Sequence, residues 1–521
     1  MIGIHRPQGS ESGAVWFPVL LGVFVAFGGV LYGYDTGIIS GILAMRYWRD
    51  LFSTGHRNSR DGELDVSSGQ SSMIVSILSI GTFFGALTAA PLADRVGRRI
   101  SLCIGNIIFV AGVALQTAST AIPPFTAGRC LAGYGVGIIS AVIPLYQSET
   151  APKWLRGAIV GTYQLSITIG LLIAAVVNNA TKGRNDSGSY RIPVAIQFVW
   201  SIILFTGALF LPETPRYLVK RGKMDDAKAS LSRLRRLPAD HPDLETELRE
   251  IRDNYEYESS VTTSWFTCYQ GTHLKRLLIS CALQAFQQLT GVNFIFYYGT
   301  SFFQNSGVQN PFIISMITSC INTVSTLPGL WAVEKLGRRQ ILLIGAAGMG
   351  VCQLIVAIVG TVTHNSAGQQ ALVAFVCIFI FFFASTWGIG AWVVSSELFS
   401  LEVRAQGLAQ SVATNWLLNW ALGYATPYLV DSGPGNAGLG AKIFFLWGGA
   451  CCVSFVFTYF FIYETKGLGL EEVDEMFKTV KNARESVYFV PSAVLVAQQG
   501  AHDKLDDVVE AQAVETRDEK I

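Results

Sequence analysis

Long apolar segments recur along the whole chain and are separated by short polar loops. A hydrocarbon core about 30 Å thick needs roughly 20 apolar residues in a helix, and twelve segments reach that length. The pattern therefore predicts an all-α membrane protein with twelve transmembrane helices. The predicted spans are residues 15–40, 71–93, 100–121, 124–147, 157–178, 191–211, 274–300, 309–333, 340–362, 371–398, 405–429 and 441–463.

Two polar stretches interrupt this pattern. Residues 212–273 alternate charged residues with leucine, which predicts a linker with short amphipathic helices. Residues 464–521 are rich in polar and acidic residues, which predicts a largely disordered tail. The chain is thus divided into an N-terminal segment (1–14), a six-helix bundle (15–211), the linker, a second six-helix bundle (274–463) and the tail.

Lys and Arg are concentrated on one side of the predicted membrane. Basic residues follow every even-numbered span, as Arg95 follows the second and Lys335 the eighth. Cytosolic loops carry such an excess, so we expect both termini and the linker to lie in the cytosol. The loop after the fifth span would lie outside, and it holds two candidate glycosylation sites, Asn179 and Asn185.

The composition excludes several classes of function. Only 14% of the residues are charged, against about 25% in soluble domains, and a net charge of +1 gives no indication of a nucleic-acid partner. Eight of the nine cysteines lie in or beside apolar spans, and all six histidines lie in loops, tails or span ends. We therefore expect no disulfide framework, metal centre or cofactor. The sequence also shows no nucleophile with a base and no phosphate loop, so we expect no enzyme.

The two halves of the chain repeat a pattern of charges. Residues 94–99 (DRVGRR) follow the second span, and residues 334–339 (EKLGRR) follow the eighth. An acid and a base seven residues apart also follow the fourth and the tenth spans. This repeat predicts two bundles with the same orientation. Because arginine pairs with carboxylates and with helix C-termini, we expect a cytosolic network that holds the bundles together. Its predicted members are Asp94, Arg98, Glu149, Arg156, Glu334, Arg338, Glu397 and Arg404.

Uncharged amides are concentrated in the seventh span, within residues 287–298. An unsatisfied amide at membrane depth costs several kcal/mol. On a straight helix, Gln287, Gln288 and Asn293 fall at about 0°, 100° and 240°, so they cannot share one face. Either they bond to different neighbouring helices, or the helix breaks at Thr290-Gly291 and turns them toward one cavity.

Two charged residues lie deep in the first bundle, Asp35 in the first span and Arg129 in the fourth. Ionisable residues inside a membrane are costly and usually functional. They form either a permanent ion pair or a switch. In the switch, Asp35 separates from Arg129 when the bundles rearrange, and it then takes a proton.

These motifs, in this order, resemble those of sugar porters of the major facilitator superfamily, and most closely those of fungal hexose transporters. The resemblance runs from about Val15 to Phe477. It rests on residues 33–37 (GYDTG), 94–99, 128–129, 149–157, 212–216 (PETPR), 287–293 (QQLTGVN), 334–339 and 463–467 (YETKG).

The resemblance implies a sugar pocket near the middle of the membrane, at the interface between the bundles. Gly388 and Gly390 precede Trp392 and could open the tenth span there. Asn419 lies four residues after Asn415 and shares its helix face, as either a contact or a packing residue. The substrate-binding residues expected from the resemblance and this spacing are Gln164, Gln287, Gln288, Asn293, Asn322, Trp392, Asn415 and Asn419.

The function that the resemblance implies is plasma-membrane transport of glucose or another hexose. Alternating access with proton symport is expected, with Asp35 and Arg129 as the coupling residues. The expected partners are a monosaccharide, a proton and the lipid bilayer, and the protein is expected to act as a monomer. A hexose facilitator (uniporter) with the same pocket and a glucose sensor are the alternatives. Pentoses, polyols and disaccharides stay open as substrates.

Overall fold

The computed structural model describes residues 14–57, 62–151, 156–260, 265–307, 309–363, 365–400, 403–468 and 470–492. Helices make up most of this part of the chain, and its isolated β-bridge pairs Arg57 with Leu64. The body of the molecule consists of α1 (Trp16–Ala26, continuing as Gly28–Ala44), α2 (Ser68–Val96), α3 (Arg98–Ala118), α4 (Ile122–Thr150), α5 (Arg156–Thr181), α6 (Gly188–Phe210), α7 (Gly271–Leu289, continuing as Val292–Asn305), α8 (Pro311–Leu336), α9 (Arg338–Val362), α10 (Ser366–Phe382, a π-helical turn Phe383–Trp387, then Gly388–Glu397), α11 (Arg404–Val430) and α12 (Ile443–Phe461).

Ten of these twelve helices are long and apolar enough to cross a membrane. The other two are α7, which is interrupted after Leu289, and α11, which carries several amide side chains. Each predicted span coincides with one of the twelve helices. Most helices extend a few residues beyond the prediction, as α1 does when it continues to Ala44. The prediction of an all-α membrane protein is confirmed.

The two halves repeat the same packing. In the first half α1 packs on α5, α2 on α4 and α3 on α6, and in the second half α7 packs on α11, α8 on α10 and α9 on α12. Small residues bring the backbones of α2 and α4 together. A Cβ atom on Gly85 would lie 2.2 Å from the carbonyl oxygen of Tyr134, and one on Gly137 would lie 2.4 Å from that of Thr82. Glycine is therefore needed where these two helices cross.

The halves meet along α1–α7, α2–α11 and α5–α8. Ser40 on α1 donates a hydrogen bond to Thr300 on α7 (3.0 Å). Thr323 on α8 donates to the backbone carbonyl of Thr168 on α5 (3.0 Å). Polar contacts therefore connect the halves at more than one place along the helices.

The linker contains three helices, Pro215–Lys220, Met224–Arg235 and Pro242–Ser260. A small apolar cluster that includes Leu218 and Ala227 packs them together. The linker is also tied to the first bundle, because the guanidinium of Arg235 donates to the backbone carbonyl of Thr150 at the end of α4 (3.3 Å).

The first part of the tail is folded. Helix Leu470–Thr479 docks on the start of α7, where the fully buried Arg276 pairs with Asp474 (2.7 Å). The Arg276 guanidinium also lies 4.6 Å from the centre of the Phe477 ring. The prediction treated the tail as largely disordered, but a buried arginine needs a counter-charge, and the tail supplies it. Residues 493–521 of the predicted tail lie outside the described residues.

This docking is expected to depend on pH. Burial raises the pKa of the Asp474 carboxyl, but hydrogen bonds and charges from Lys478 and Arg276 outweigh it and hold that pKa below its ordinary value. At pH values above the pKa of an unfolded aspartate, about 3.9, the lowered pKa of Asp474 stabilises the folded state. This stabilisation is lost as the pH falls through the pKa that Asp474 has in the folded protein. We expect Asp474→Asn at neutral pH to reduce the hydrogen-exchange protection of residues 470–479 about tenfold, which is about 1.4 kcal/mol.

The matched control is Glu485→Gln, which changes an exposed carboxylate of the same tail that accepts a hydrogen bond from the nearby Asn482. It should leave the protection of residues 470–479 unchanged. Equal protection in Asp474→Asn and in the unmodified protein would show that the contact with Arg276 does not hold the helix.

Candidate functional site

The seventh membrane helix is broken at the place where its amides are concentrated. Its first part ends at Leu289 and its second begins at Val292. Between them Gly291 adopts a left-handed conformation with φ of +80°, and a Cβ atom there would lie 2.5 Å from the indole of Trp447. Only glycine meets both conditions. The break reorients the residues that follow it relative to Gln287 and Gln288.

Asn415 on α11 is the centre of a buried hydrogen-bond network. Its Nδ2 donates to Oε1 of Gln284 and to Oε1 of Gln287, both at 2.8 Å. Its Oδ1 accepts from Nε2 of Gln288 at 2.9 Å. Gln287 in turn donates to the backbone carbonyl of Trp387 on α10 at 3.1 Å. Asn415 therefore joins α11 to α7, and Gln287 extends the network to α10.

The network continues across the break to the other half. Oε1 of Gln288 accepts from Asn293 and, at 3.2 Å, from Asn419. Oδ1 of Asn419 accepts from the hydroxyl of Tyr297 at 3.0 Å and from Ser79 at 2.6 Å. Ser79 lies on α2, so the network ends at the interface between the halves. We call its six amides the amide cluster: Gln284, Gln287, Gln288, Asn293, Asn415 and Asn419.

The bonding to neighbouring helices and the break at Gly291 both occur, and an orientation of the amides toward one cavity stays a prediction. The amides bond to neighbouring helices, and the break brings Asn293 into the same cluster as Gln287 and Gln288. Each bond between two members of the amide cluster joins an amide donor to an amide acceptor. A hydroxyl group can both donate and accept, so hydroxyls of a polyhydroxylated molecule can replace these bonds without leaving any amide unpaired.

Three predicted contact residues lie outside the amide cluster. Gln164 on α5 and Trp392 on α10 are half-buried, and Asn322 on α8 is buried. None of the three side chains is hydrogen-bonded to the cluster among the described residues. The structure therefore brings together five of the eight predicted residues. The contact between Thr323 and the Thr168 carbonyl places the helices of Asn322 and Gln164 side by side.

The irregular part of α10 does not lie where the sequence predicted it. Gly388 and Gly390 were expected to open the helix, but both lie in regular helix, and the π-helical turn Phe383–Trp387 precedes them. The fully buried Trp387 is fixed there, because its Nε1 donates to the carbonyl of Leu342 at 2.8 Å. The indole of Trp387 therefore anchors this turn. The backbone carbonyl of the same residue accepts a hydrogen bond from Gln287.

Sequence reasoning missed several members of the site. Gln284 lies three residues before Gln287, so helix periodicity could have placed it on the same face. Ser79 and Tyr297 gave no such signal. Tyr32 on α1 and Trp416 on α11 also meet edge to face, with ring centres 5.5 Å apart. This ring pair connects the two halves close to Asn415.

The buried charges of the first half face each other. Arg129 Nη1 lies 3.8 Å from Asp35 Oδ1, and both side chains are fully buried. Arg129 Nε donates to the carbonyl of Ile74 at 2.8 Å. The other polar atoms of both side chains have no hydrogen-bond partner among the described residues. A buried pair with so few supporting bonds is costly to maintain.

The charged ends of the helices pair within each half. Arg98 makes two bonds to Glu149, at 3.0 and 2.8 Å, and Arg338 makes two bonds to Glu397, at 3.1 and 2.9 Å. Asp94 and Glu334 add contacts to the same two arginines. For these residues, the prediction that the network holds the two bundles together is wrong, because Arg98 joins α3 to α4 and Arg338 joins α9 to α10, each within one half. Arg404 begins α11, and the side chain of Arg156 lies outside the described residues.

Two further carboxylates complete this repeat. Glu213 accepts the backbone N–H groups of Arg98 (3.0 Å) and Arg99 (3.2 Å), at the start of α3. Glu464 accepts those of Arg338 (2.9 Å) and Arg339 (3.1 Å), at the start of α9. Both carboxylates cap the N-terminus of a helix. Burial raises the pKa of the Glu213 carboxyl, although these N–H groups oppose the shift.

The two candidate glycosylation sites differ in exposure. Asn185 is exposed in the loop between α5 and α6. Asn179 lies in the last turn of α5, and its side-chain oxygen accepts a hydrogen bond from Lys182 at 2.8 Å. The structure favours Asn185 as an acceptor, and modification of either residue stays a prediction.

A family model described as "Sugar (and other) transporter" matches residues 21–477. The chain belongs to this family. It is 58% identical to "Major facilitator-type transporter ecdD" of Aspergillus rugulosus, over 98% of this chain and 96% of the relative. It is 49% identical to "Probable glucose transporter rco-3" of Neurospora crassa, over 94% and 84%. It is 44% identical to "High glucose sensor RGT2" of Saccharomyces cerevisiae, over 89% of this chain and 61% of the sensor.

A solved structure supports the same fold. The proton:xylose symporter XylE bound to 6-bromo-6-deoxy-D-glucose matches with a TM-score of 0.74 at 24% identity, over 89% of this chain and 99% of the symporter. This member of the family is therefore a multi-pass membrane protein with the major facilitator fold.

Proposed function

We propose that this protein carries glucose or a related hexose across the plasma membrane together with a proton, by alternating access. It acts as a monomer, with both termini and the linker in the cytosol. The amide cluster supports a neutral sugar as substrate, because it offers donors and acceptors without a permanent charge. The name of the Neurospora crassa relative supports glucose.

The amide cluster is suited to reversible binding. Its side chains satisfy one another, centred on Asn415. A sugar hydroxyl that replaces one of these bonds gives back both a donor and an acceptor, so the net gain per bond is about 1 kcal/mol. Such modest gains allow a sugar to bind on one side and to leave on the other.

The buried pair of Asp35 and Arg129 is the observation that carries the proposal of proton coupling. Asp35 lies on α1, one turn after Tyr32, whose ring contacts Trp416 beside Asn415. Sugar bound at α7 and α11 can therefore shift α1 and change the separation of 3.8 Å between the charges. An aspartate that loses its arginine in an apolar surrounding takes a proton, which then crosses with the sugar.

A second candidate is a glucose sensor, favoured by the 44% identity to the Saccharomyces cerevisiae sensor. The same pocket then binds glucose, and the rearrangement of the halves is the signal. A facilitator differs only in that Asp35 and Arg129 stay paired through the whole cycle.

Uptake of labelled glucose separates these functions. The protein is expressed in cells that lack their own hexose uptake, and uptake is followed with and without a protonophore. We expect accumulation above the external concentration, and we expect the protonophore to abolish it. Uptake that only equilibrates, whether or not the protonophore is present, would identify a facilitator. No uptake despite protein at the cell surface would favour the sensor.

A further inference from the structure

A cavity of about 440 Å³ opens at the end of the molecule opposite the basic loops. The lining residues fix its position, because Ser68 begins α2 and Asp431 directly follows α11. A smaller cavity of about 70 Å³ adjoins it and shares Asp65 and Asn305 with it. We call the larger space the outer cavity. It contains no residue of the amide cluster.

The wall of the outer cavity combines an aromatic ring with carboxylate, amide and hydroxyl groups. Phe302 supplies an aromatic ring, which suits the apolar face of a sugar. Carboxylates and amides supply acceptors and donors for hydroxyl groups. The volume is within the range of small-molecule sites, about 300–1,000 Å³. The charged and amide side chains in the wall, together with His56 and Ser68, are those of Asp65, Asn305, Gln369 and Asp431, and Ser306, Thr363 and Ser432 add further hydroxyl groups.

Other ligands fit this wall less well. Among the described residues, no group of three His, Cys, Asp or Glu side chains is placed to hold a metal ion. An anion would meet the carboxylates of Asp65 and Asp431. A small neutral molecule with many hydroxyl groups matches both the polar groups and the ring.

Both halves of the protein build the outer cavity. Ser68 of the first half donates to Oδ2 of Asp431 of the second at 2.9 Å, and Asn436 donates to Ser68 at 2.9 Å. His56 also comes from the first half, whereas Gln369 comes from the second. The cavity is therefore complete only while the two halves are together at this end.

We propose that the outer cavity is a second binding site for a monosaccharide, and that a sugar bound there holds this end of the halves together. A ligand stabilises the state to which it binds. Sugar at high external concentration therefore slows the reopening of this end. Uptake passes through a maximum and then falls as external glucose rises. The inference rests on the proposed function for the choice of glucose as the probe and for the test by uptake, whereas the labelling test does not require transport.

Transport kinetics give the first test. Gln369→Ala removes an amide from the cavity wall, and we expect it to abolish the fall in uptake at high glucose without changing KM at low glucose. Gln370→Ala is the matched control, because this neighbouring amide is exposed and does not line the cavity. It should keep the fall. An unmodified protein whose uptake rises to a plateau would overturn the proposal.

Cysteine labelling tests the site without transport. Ser306→Cys places a thiol in the cavity wall, and Gln309→Cys places one on the exposed surface nearby. Both are labelled with a membrane-impermeant maleimide. Glucose at about 100 mM, well above a millimolar dissociation constant, should slow labelling at position 306 severalfold and leave position 309 unchanged.

The same labelling is repeated with Gln287→Ala in the amide cluster. If glucose still slows labelling at position 306 in this background, the outer cavity is a site separate from the amide cluster. Loss of protection with Gln287→Ala, or no protection in either background, would overturn the proposal. Protection in a protein that transports no sugar would overturn the proposed function and leave the second site standing.

Discussion

Asp35→Asn is expected to abolish the accumulation of glucose against its gradient while downhill exchange of glucose continues. Asparagine has the shape of aspartate but cannot carry the proton that drives uphill transport. One charge that moves through 100 mV contributes about 2.3 kcal/mol, which at about 1.36 kcal/mol per decade supports roughly fifty-fold accumulation. The measurement is the ratio of internal to external labelled glucose at steady state, which should fall to about one.

Asp50→Asn is the matched control for this substitution. Asp50 is exposed on the short helix Arg46–Phe52, outside the bundle interior, so its loss should leave accumulation unchanged. Countertransport, in which external glucose exchanges for labelled internal glucose, separates loss of coupling from loss of folding. Asp35→Asn that still accumulates glucose would exclude Asp35 as the proton carrier. The pair with Arg129 would then be a structural ion pair.

The sequence predicted helices better than the contacts between them. Apolar segments of membrane length located all twelve helices, because membrane thickness sets that length. On a straight α7, Gln287, Gln288 and Asn293 would point in different directions and could not share one site. The left-handed conformation of Gly291 breaks the helix and brings Asn293 into the same cluster, and this glycine lies within the predicted break.

Contacts between helices depend on which helices pack together, and the spacing of residues along one helix does not show this. Ser79 reaches Asn419 only because α2 crosses α11, and nothing near Ser79 in the sequence indicates that partner. The same holds for the charges at the helix ends. Their equal offsets revealed the repeat, but only the packing of α3 on α4 shows that Arg98 bonds within its own half. Asp474 likewise pairs with Arg276, about 200 positions away in the chain.

Gln287→Ala is expected to lower the kcat/KM of glucose uptake by about 30- to 150-fold. Gln287 joins Asn415 to the carbonyl of Trp387, so its amide can offer a sugar one donor and one acceptor. Two bonds of about 1–1.5 kcal/mol each give a loss of about 2–3 kcal/mol, which corresponds to that range. Initial uptake rates at several glucose concentrations, normalised to protein at the cell surface, measure the change.

Gln410→Ala serves as the control, because Gln410 lies on the same helix as Asn415 but bonds to Tyr269 and to the carbonyl of Gln406, away from the amide cluster. Its kcat/KM should stay within about twofold. Thermal unfolding separates binding from packing, since a ligand that binds only the folded state raises Tm. Glucose should raise the Tm of the unmodified protein and of Gln410→Ala, but not that of Gln287→Ala. If Gln287→Ala keeps both the glucose-dependent rise in Tm and the original KM, the amide cluster is a packing contact between α7, α10 and α11, and the sugar binds elsewhere between the halves.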